Sequence, residues 1–155
     1  MNFIHGITVI CFSLACPLAC AADGDASSFP IRSLAKGALS GIADSRREII
    51  HSADKWEKLW SQHAVSVGTG VRAPAVDFSK EMVVVATLGT HRTGGYAIEI
   101  VRVAAVEKTL KIVVNQTSPP PGAMAIQALT APFHFVAVPR SDLKAEFVDA
   151  NSAKK

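Results

Sequence analysis

The sequence predicts a single α+β domain, in which a mainly antiparallel β-sandwich or open barrel carries one amphipathic helix packed on its sheet. Residues 53–63 have large apolar side chains at three- and four-residue spacing, which is the helical period. From residue 81 onward, short apolar runs are separated by turns that contain glycine or proline, which is the pattern of strands. The length of 155 residues suits one domain.

The first 22 residues are predicted to be a signal peptide. They contain no Asp, Glu, Lys or Arg, and their apolar block ends in small residues suited to cleavage. A membrane anchor is the disfavoured alternative, because the block is short and Pro17 interrupts it. All three cysteines lie in this segment, so the mature protein has no thiol. Attachment of a lipid to Cys20, giving an outer-membrane lipoprotein, is a second alternative to an exported periplasmic or extracellular protein.

The remaining chain divides into a flexible lead at residues 23–30, a folded domain at 31–150 and a polar tail at 151–155. It carries every charged residue, and therefore the whole formal charge of +3. Because this surplus is small and no stripe of Lys and Arg is interleaved with aromatic residues, we expect no nucleic acid partner.

The only predicted helix follows a short strand at residues 46–52. Ser52 is its expected N-cap, and Asp54 lies in the first turn, where the helix dipole favours an anion. Its apolar face is formed by Trp56, Leu59, Trp60 and His63. We expect both tryptophans to pack on the sheet, and His63 to lie at the helix end near the C-terminal carbonyl groups.

Strands are expected after a loop at residues 64–80. The segment "EMVVVATLG" is apolar throughout, which is typical of a central strand covered on both faces. The segment "YAIEIVRVAAV" alternates at first, and a β-bulge near residues 100–101 would return both Glu99 and Arg102 to the solvent face. After a turn at residues 107–108, the inward residues of "TLKIVVNQT" are expected to be Leu110, Ile112 and Val114.

The three consecutive prolines of "SPPPG" end that strand, because proline cannot donate to a strand ladder. The segments "AMAIQALT", "PFHFVAVP" and "KAEFVD" are predicted to complete the β-rich part. His134 stands between two phenylalanines that point inward, so strand alternation predicts that its side chain points to solvent.

The segment "GTHRTGGY" has the outline of a phosphate-binding loop. The outline fails, because Gly95 and Tyr96 occupy the positions of the phosphate-binding lysine and the magnesium-binding hydroxyl. A tight hairpin turn is the better interpretation. Gly94 and Gly95 permit positive φ at both positions, and the ring of Tyr96 can pack over the turn.

No catalytic, metal or cofactor site is predicted. The histidines of the mature chain have no H-x-x-x-H or H-E-x-x-H spacing, and the chain has no G-x-S-x-G element. Asp77 is a candidate catalytic carboxylate, but an aspartate at the start of a strand more often caps a turn. We therefore expect a protein that is not an enzyme.

Four segments resemble the PrcB C-terminal domain family in content and order. They are "IIHSADKWEKLWSQH", "PAVDFSKEMVVVATLGTHRTGGYAIEI", "TSPPPG" and "TAPFHFVAVPRSD", within residues 46–142. The matching residues are Trp56, Trp60, Val76, Asp77, Phe78, Gly89, Thr93, Gly94, Gly95, Tyr96, Pro119, Pro121, Gly122, Pro132 and Phe133. The chain departs from the family pattern at residues 91–92, where His-Arg replaces Arg-Pro.

The resemblance implies an exported, non-catalytic accessory subunit that stabilises or inhibits a protease. We expect the "HRTGGY" turn and the "SPPPG" loop to join strands of one sheet and to form a rim that faces the partner. The candidate partner-binding residues are His91, Arg92, Thr93, Tyr96, Pro119, Pro120 and Pro121, and Gly94 and Gly95 are expected to serve the turn. A module that binds a small molecule or glycan through the same loops is the alternative function.

Overall fold

The computed structural model describes residues 27–66, 68 and 70–150. The predicted signal peptide, the start of the lead and the polar tail lie outside the described residues. The described chain forms three layers: a first sheet, a second sheet packed on it, and one helix on the other face of the second sheet. The predicted α+β sandwich with one packed helix is confirmed.

The strands are β1 (Ser27–Ser28), β2 (Arg32–Gly37), β3 (Ser45–Ile50), β4 (Glu81–Leu88), β5 (Ala97–Val106), β6 (Thr109–Thr117), β7 (Phe133–Pro139) and β8 (Lys144–Asp149), and the helix is α1 (Ala53–Ala64). The first sheet has the order β1-β5-β6-β8 and the second the order β2-β7-β4-β3. Every pairing is antiparallel except that of β6 with β8, which is parallel.

The central strands β4 and β7 separate two apolar cores. Met82, Val84 and Val136 pack between the sheets, whereas Val83 and Phe135 pack under the helix. Successive side chains of a strand point to opposite faces, so a strand with helix on one side and sheet on the other must be apolar at every position. The prediction that "EMVVVATLG" is a central, doubly covered strand is confirmed.

The same double coverage contradicts the solvent-facing prediction for His134. Its side chain does point away from the neighbouring phenylalanines, but that face of β7 packs against the first sheet, and His134 is only 4% exposed. Strand alternation correctly predicts the direction of the His134 side chain. The prediction of solvent exposure is wrong because both faces of β7 are covered.

The register of the first sheet matches the sequence pattern. The pairing of β5 with β6 shifts between Ile100 and Arg102, which leaves Val101 as the extra residue of the predicted β-bulge. The inward residues of β6 are fully buried as expected. The turn between β5 and β6 places Glu107 at a φ of 55°, in the left-handed region.

The helix is built as predicted except at two polar residues. Trp56 and Trp60 are buried, and their indole groups pack against Phe135. Ser52 occupies the N-cap position, but its side chain makes no capping hydrogen bond. His63 lies in the last turn of the helix as expected, but it is buried, its Nδ1 lies 3.0 Å from Ser40 Oγ, and burial lowers its pKa.

Three segments differ from the strand prediction. Residues 32–37 form β2, although no strand is predicted there. Ser27 and Ser28, in the predicted lead, form the two-residue strand β1, which pairs with β5. The segment 123–130, expected to be a strand, has only one isolated bridge, between Thr130 and His91. It crosses from the first sheet to the second, and no neighbouring strand pairs with its backbone N–H and C=O groups in a ladder.

Candidate functional site

Two loops cross from one sheet to the other at the same end of the sandwich. Residues 89–96 connect β4 of the second sheet to β5 of the first, and residues 118–132 connect β6 of the first to β7 of the second. The "HRTGGY" segment is therefore not a hairpin turn, and neither loop joins strands of one sheet. A hairpin joins adjacent paired strands, whereas β4 and β5 belong to different layers.

The two loops are nevertheless held together by backbone hydrogen bonds. His91 and Thr130 exchange two, at N···O distances of 2.7 and 2.9 Å. Gly94 N–H donates to the Ile126 carbonyl at 2.9 Å, and the Thr130 hydroxyl donates to the Thr93 carbonyl at 2.9 Å. We call residues 91–96 and 118–130 the rim. The structure thus brings together the two segments that the sequence singled out, although by a different topology.

Only one of the two adjacent glycines is required by backbone conformation. Gly95 has a φ of +90°, and a Cβ there would lie 3.2 Å from Pro119 Cβ. Gly94 lacks a positive φ, and a Cβ there would meet nothing closer than 3.8 Å. The expectation of positive φ at both positions is wrong for Gly94, because no tight hairpin is formed. Gly89 has a φ of +78°, and a Cβ would lie 2.7 Å from the Ala43 carbonyl oxygen.

Two of the candidate partner-binding residues also pack on each other. The rings of His91 and Tyr96 stack with centroids 3.9 Å apart and an interplanar angle of 11°. They border a cleft of about 150 Å³ that Gln116 also lines. The His91 Nε2 atom is buried and has no hydrogen-bond partner. The stack fixes the shape of loop 89–96, and the edges of both rings line the cleft.

The candidate residues differ in exposure. Arg92, Pro120 and Pro121 are exposed, and the other four (His91, Thr93, Tyr96 and Pro119) are half-buried. The exposed three can meet a partner directly. The half-buried four contribute only part of their surface.

Sequence reasoning missed the most exposed apolar side chains of the rim. Met124 is 102% exposed, Ile126 is 80% and Leu129 is 66%. The alternation of "AMAIQALT" predicts a strand. In a crossing segment with no neighbouring strand to pair with, the same side chains point to solvent. The sequence signal for this exposed apolar loop is the apolar run that directly follows the three prolines and Gly122.

The rim is apolar and weakly cationic. Arg92 is the only charged residue in its two segments, and the sequence has no acidic residue from position 82 to 98 or from 112 to 141. An exposed apolar cluster on a rigid β scaffold is typical of an interaction surface.

One serine–histidine pair has the composition of a nucleophile and a base. Ser33 Oγ lies 3.1 Å from His134 Nε2, and His134 Nδ1 accepts the Ile100 N–H at 2.9 Å. Burial lowers the pKa of His134, and Lys36 lowers it further, while Glu99 acts in the opposite direction. The neutral ring that accepts at Nδ1 carries its proton on Nε2, so it donates to Ser33 and cannot take a proton from it.

Asp77 is occupied by its own turn. Its carboxylate accepts the Ser79 N–H at 3.0 Å, and its carbonyl accepts the N–H of both Lys80 and Glu81. The hydrogen bonds from Ser79 lower the pKa of Asp77. This is the turn-capping role that the sequence suggested at the start of β4.

In the part of the chain that the structure describes, no group of three or more His, Cys, Asp or Glu side chains could hold a metal ion. In the same part of the chain, no helix is long and apolar enough to cross a membrane.

The two crossings and the strands they connect lie within one segment that matches a family model. Residues 82–139 match the family model described as PrcB C-terminal. The predicted resemblance is confirmed for this segment. The matched segment extends from β4 to β7 and includes the whole rim, whereas the two tryptophans of α1 and Asp77 lie outside it. The chain matches no curated protein and no solved structure.

Proposed function

We propose that this protein is an exported, non-catalytic accessory subunit of a protease complex, and that it binds its partner through the rim. The family match associates the segment with a protease complex. The observation that carries the proposal is the exposure of Met124, Ile126 and Leu129 on the part of that segment that crosses between sheets. Exposed apolar side chains of this size gain free energy when a partner covers them.

The scaffold supports this role. The rim is anchored at both ends by strands of the two cores, and four hydrogen bonds join its loops. A preorganised loop loses little conformational entropy when it binds. The prolines at positions 119–121 reduce that loss further, since proline has a fixed φ in the free chain.

A non-catalytic role is supported by the state of the two serine–histidine pairs. The Ser33–His134 pair has the tautomer that cannot accept the serine proton. His63 is bonded to the buried Ser40. Neither pair presents an activated nucleophile to a substrate.

Affinity capture tests the proposal. The mature chain is immobilised and exposed to the exported fraction of its producer, and captured proteins are identified by mass spectrometry. Ile126→Ser and Arg92→Ala should reduce capture of a peptidase, because both residues are exposed on the rim. Val101→Ser is the matched control: Val101 is an exposed valine (46%) on β5, outside the rim, and its replacement should leave capture unchanged.

The functional consequence is measured on the captured peptidase. A stabilising subunit should prolong its active half-life, whereas an inhibitor should lower its initial rate. If Ile126→Ser, Arg92→Ala and Pro120→Ala all capture the same proteins as the wild type with unchanged thermal midpoints, the rim is not the binding surface.

A further inference from the structure

Strand β3 leaves one edge of the second sheet open. It is a terminal strand in the order β2-β7-β4-β3, and its six residues pair with β4 without a register shift. The other terminal strand of this sheet, β2, is irregular, because its pairing with β7 shifts between Ser33 and Ala35. A regular edge strand presents a row of backbone N–H and C=O groups that can pair with another strand.

The direction of the backbone groups of β3 follows from its neighbour β4. The Leu88 N–H donates to the Pro132 carbonyl on the β7 side, so the N–H and C=O of the preceding residue, Thr87, point to β3. Thr87 is opposite Arg46, whose N–H donates to Thr87 Oγ1 at 2.9 Å. Arg46 and every second residue after it therefore pair with β4. The residues whose backbone groups point away from β4 are Ser45, Arg47 and Ile49.

These outward backbone groups can pair with a second copy of the same strand. No backbone hydrogen bond from another described residue reaches the N–H or C=O groups of Ser45, Arg47 and Ile49. A second β3, related by a two-fold axis perpendicular to the sheet, runs antiparallel and presents the same three residues at the same spacing. Pairing of the two strands would satisfy both rows of groups.

The charges of β3 select one register for this pairing. The side chains of Arg46 and Glu48 are on the helix side of the strand, where both line a cleft of about 330 Å³ beside α1. When Arg47 is opposite Arg47 of the second copy, each Arg46 is opposite a Glu48, in a pair whose side chains are close. A register shift of two residues in either direction places Arg46 opposite Arg46 or Glu48 opposite Glu48.

Both members of the cross-strand pair have capacity for it. Arg46 contacts Asp44 Oδ2 at 3.2 Å and Gln62 Oε1 at 3.3 Å, each through one N–H of a guanidinium that has five. The Asp44 side chain is 74% exposed, so its contact with Arg46 is weak. Glu48 is exposed and has no ion pair with another described residue.

The other cations near β3 are compatible with this register. The two Arg47 side chains would lie opposite each other on the inner face, but each is paired with Asp149 of its own chain at 2.7 Å. Lys55 and Lys58 also line the cleft, but they belong to the helix and both are exposed. Their long side chains can extend into water, away from the paired strands.

We propose that this protein forms a two-fold symmetric dimer in which two β3 strands pair antiparallel, with Arg47 at the two-fold axis. The pairing, which we call the seam, joins the second sheets into one continuous sheet with four strands from each copy. The seam lies outside the rim, so this inference goes beyond the proposed function and does not depend on it. Because the seam is antiparallel, the two rims lie at opposite ends of the joined sheet.

Sedimentation equilibrium of the mature chain over a series of concentrations tests the dimer. E48R places like charges opposite each other at both symmetry-related pairs, so it should raise the dimer dissociation constant about tenfold or more. R46E should have the same effect. R46E/E48R restores opposite charges across the seam, and its dissociation constant should return to within about threefold of the wild-type value. E57R is the matched control, because Glu57 is an exposed glutamate of α1 that does not line the cleft.

Hydrogen exchange of the backbone amides tests the register. The Arg47 amide should exchange rapidly in dilute protein and slowly in concentrated protein, whereas the Arg46 amide, which is bonded to β4, should be protected in both. Thermal midpoints show whether each variant is folded. The proposal is overturned if the wild type remains a monomer at millimolar concentration, if folded E48R dimerises as the wild type does, if folded R46E/E48R dimerises no better than E48R, or if exchange of the Arg47 amide is independent of concentration.

Discussion

Replacement of His134 is expected to show whether a neutral histidine joins the two sheets. Its Nδ1 accepts the Ile100 N–H at 2.9 Å, so leucine at this position leaves a buried backbone donor without a partner. Such a group costs about 1–3 kcal/mol of folding free energy. Asparagine presents a carbonyl oxygen close to the position of Nδ1, and it cannot gain a proton. His134→Asn should therefore be more stable than His134→Leu at pH 7.5.

The pH dependence has a defined sign. The pKa of His134 is lowered from 6.5 in the folded protein, chiefly by burial, so the unfolded chain binds more protons in the window just below pH 6.5. The stabilisation from the neutral ring is full above pH 6.5 and is lost as the pH falls from 6.5 towards the folded pKa. Protonation of Nδ1 would also place its N–H opposite the Ile100 N–H, and two donors cannot form a hydrogen bond.

Urea denaturation followed by tryptophan fluorescence at pH 7.5, 6.5 and 5.5 measures this effect. The wild type should lose more stability than His134→Asn between pH 7.5 and 5.5, because only the wild type has a titrating group at this position. His63, whose pKa is also lowered by burial, is present in both proteins and cancels in the comparison. Equal pH dependence of the two proteins, or equal stability of the Leu and Asn variants at pH 7.5, would refute this reasoning.

Three further outcomes are expected. Gly95→Ala should lose about 1–2 kcal/mol of stability, because its φ is +90°, whereas the matched Gly94→Ala should lose less than about 0.5 kcal/mol; equal losses in chemical denaturation would contradict the assigned backbone geometry. Trp60→Ala removes a side chain that is 7% exposed and should cost about 3–5 kcal/mol in the same assay, and a loss under about 1 kcal/mol would mean that the indole is not a core anchor. Intact-mass analysis of the exported protein should give a chain that begins at Ala22 or Asp23, and retention of Met1 or a lipid adduct on Cys20 would contradict simple cleavage.

The part of the fold that follows from periodicity could be predicted from the sequence. The spacing of Trp56, Leu59 and Trp60 identified the helix and its buried face, and the unbroken apolar run of β4 identified a doubly covered strand. The bulge at Val101 could also be predicted, because Glu99 and Arg102 are separated by an odd number of positions. Each of these is a local signal, carried by residues that are close in the chain.

The candidate site could be predicted only in outline. The conformationally special residues of the "HRTGGY" and "SPPPG" segments pointed to two loops at one end of the fold, and the structure joins those loops by hydrogen bonds. The exposure of Met124, Ile126 and Leu129 could not be read from the chain, because alternation of apolar residues is the same in a paired strand and in a crossing loop. The presence or absence of a neighbouring strand in the fold decides between the paired strand and the crossing loop.

The sequence by itself determined the helix, the strands β3 to β8, the period of the apolar residues within them, and the places where glycine and proline interrupt the chain, because these properties depend on residues a few positions apart. Only the tertiary structure decided which sheet each strand enters. That assignment made the "HRTGGY" segment a crossover instead of a hairpin, covered both faces of β7 and so buried His134, and turned the apolar residues of 124–129 towards solvent. The sheet that a strand joins depends on packing between segments that are distant in the chain. A local sequence pattern therefore does not encode which element covers each face of a strand in the folded protein.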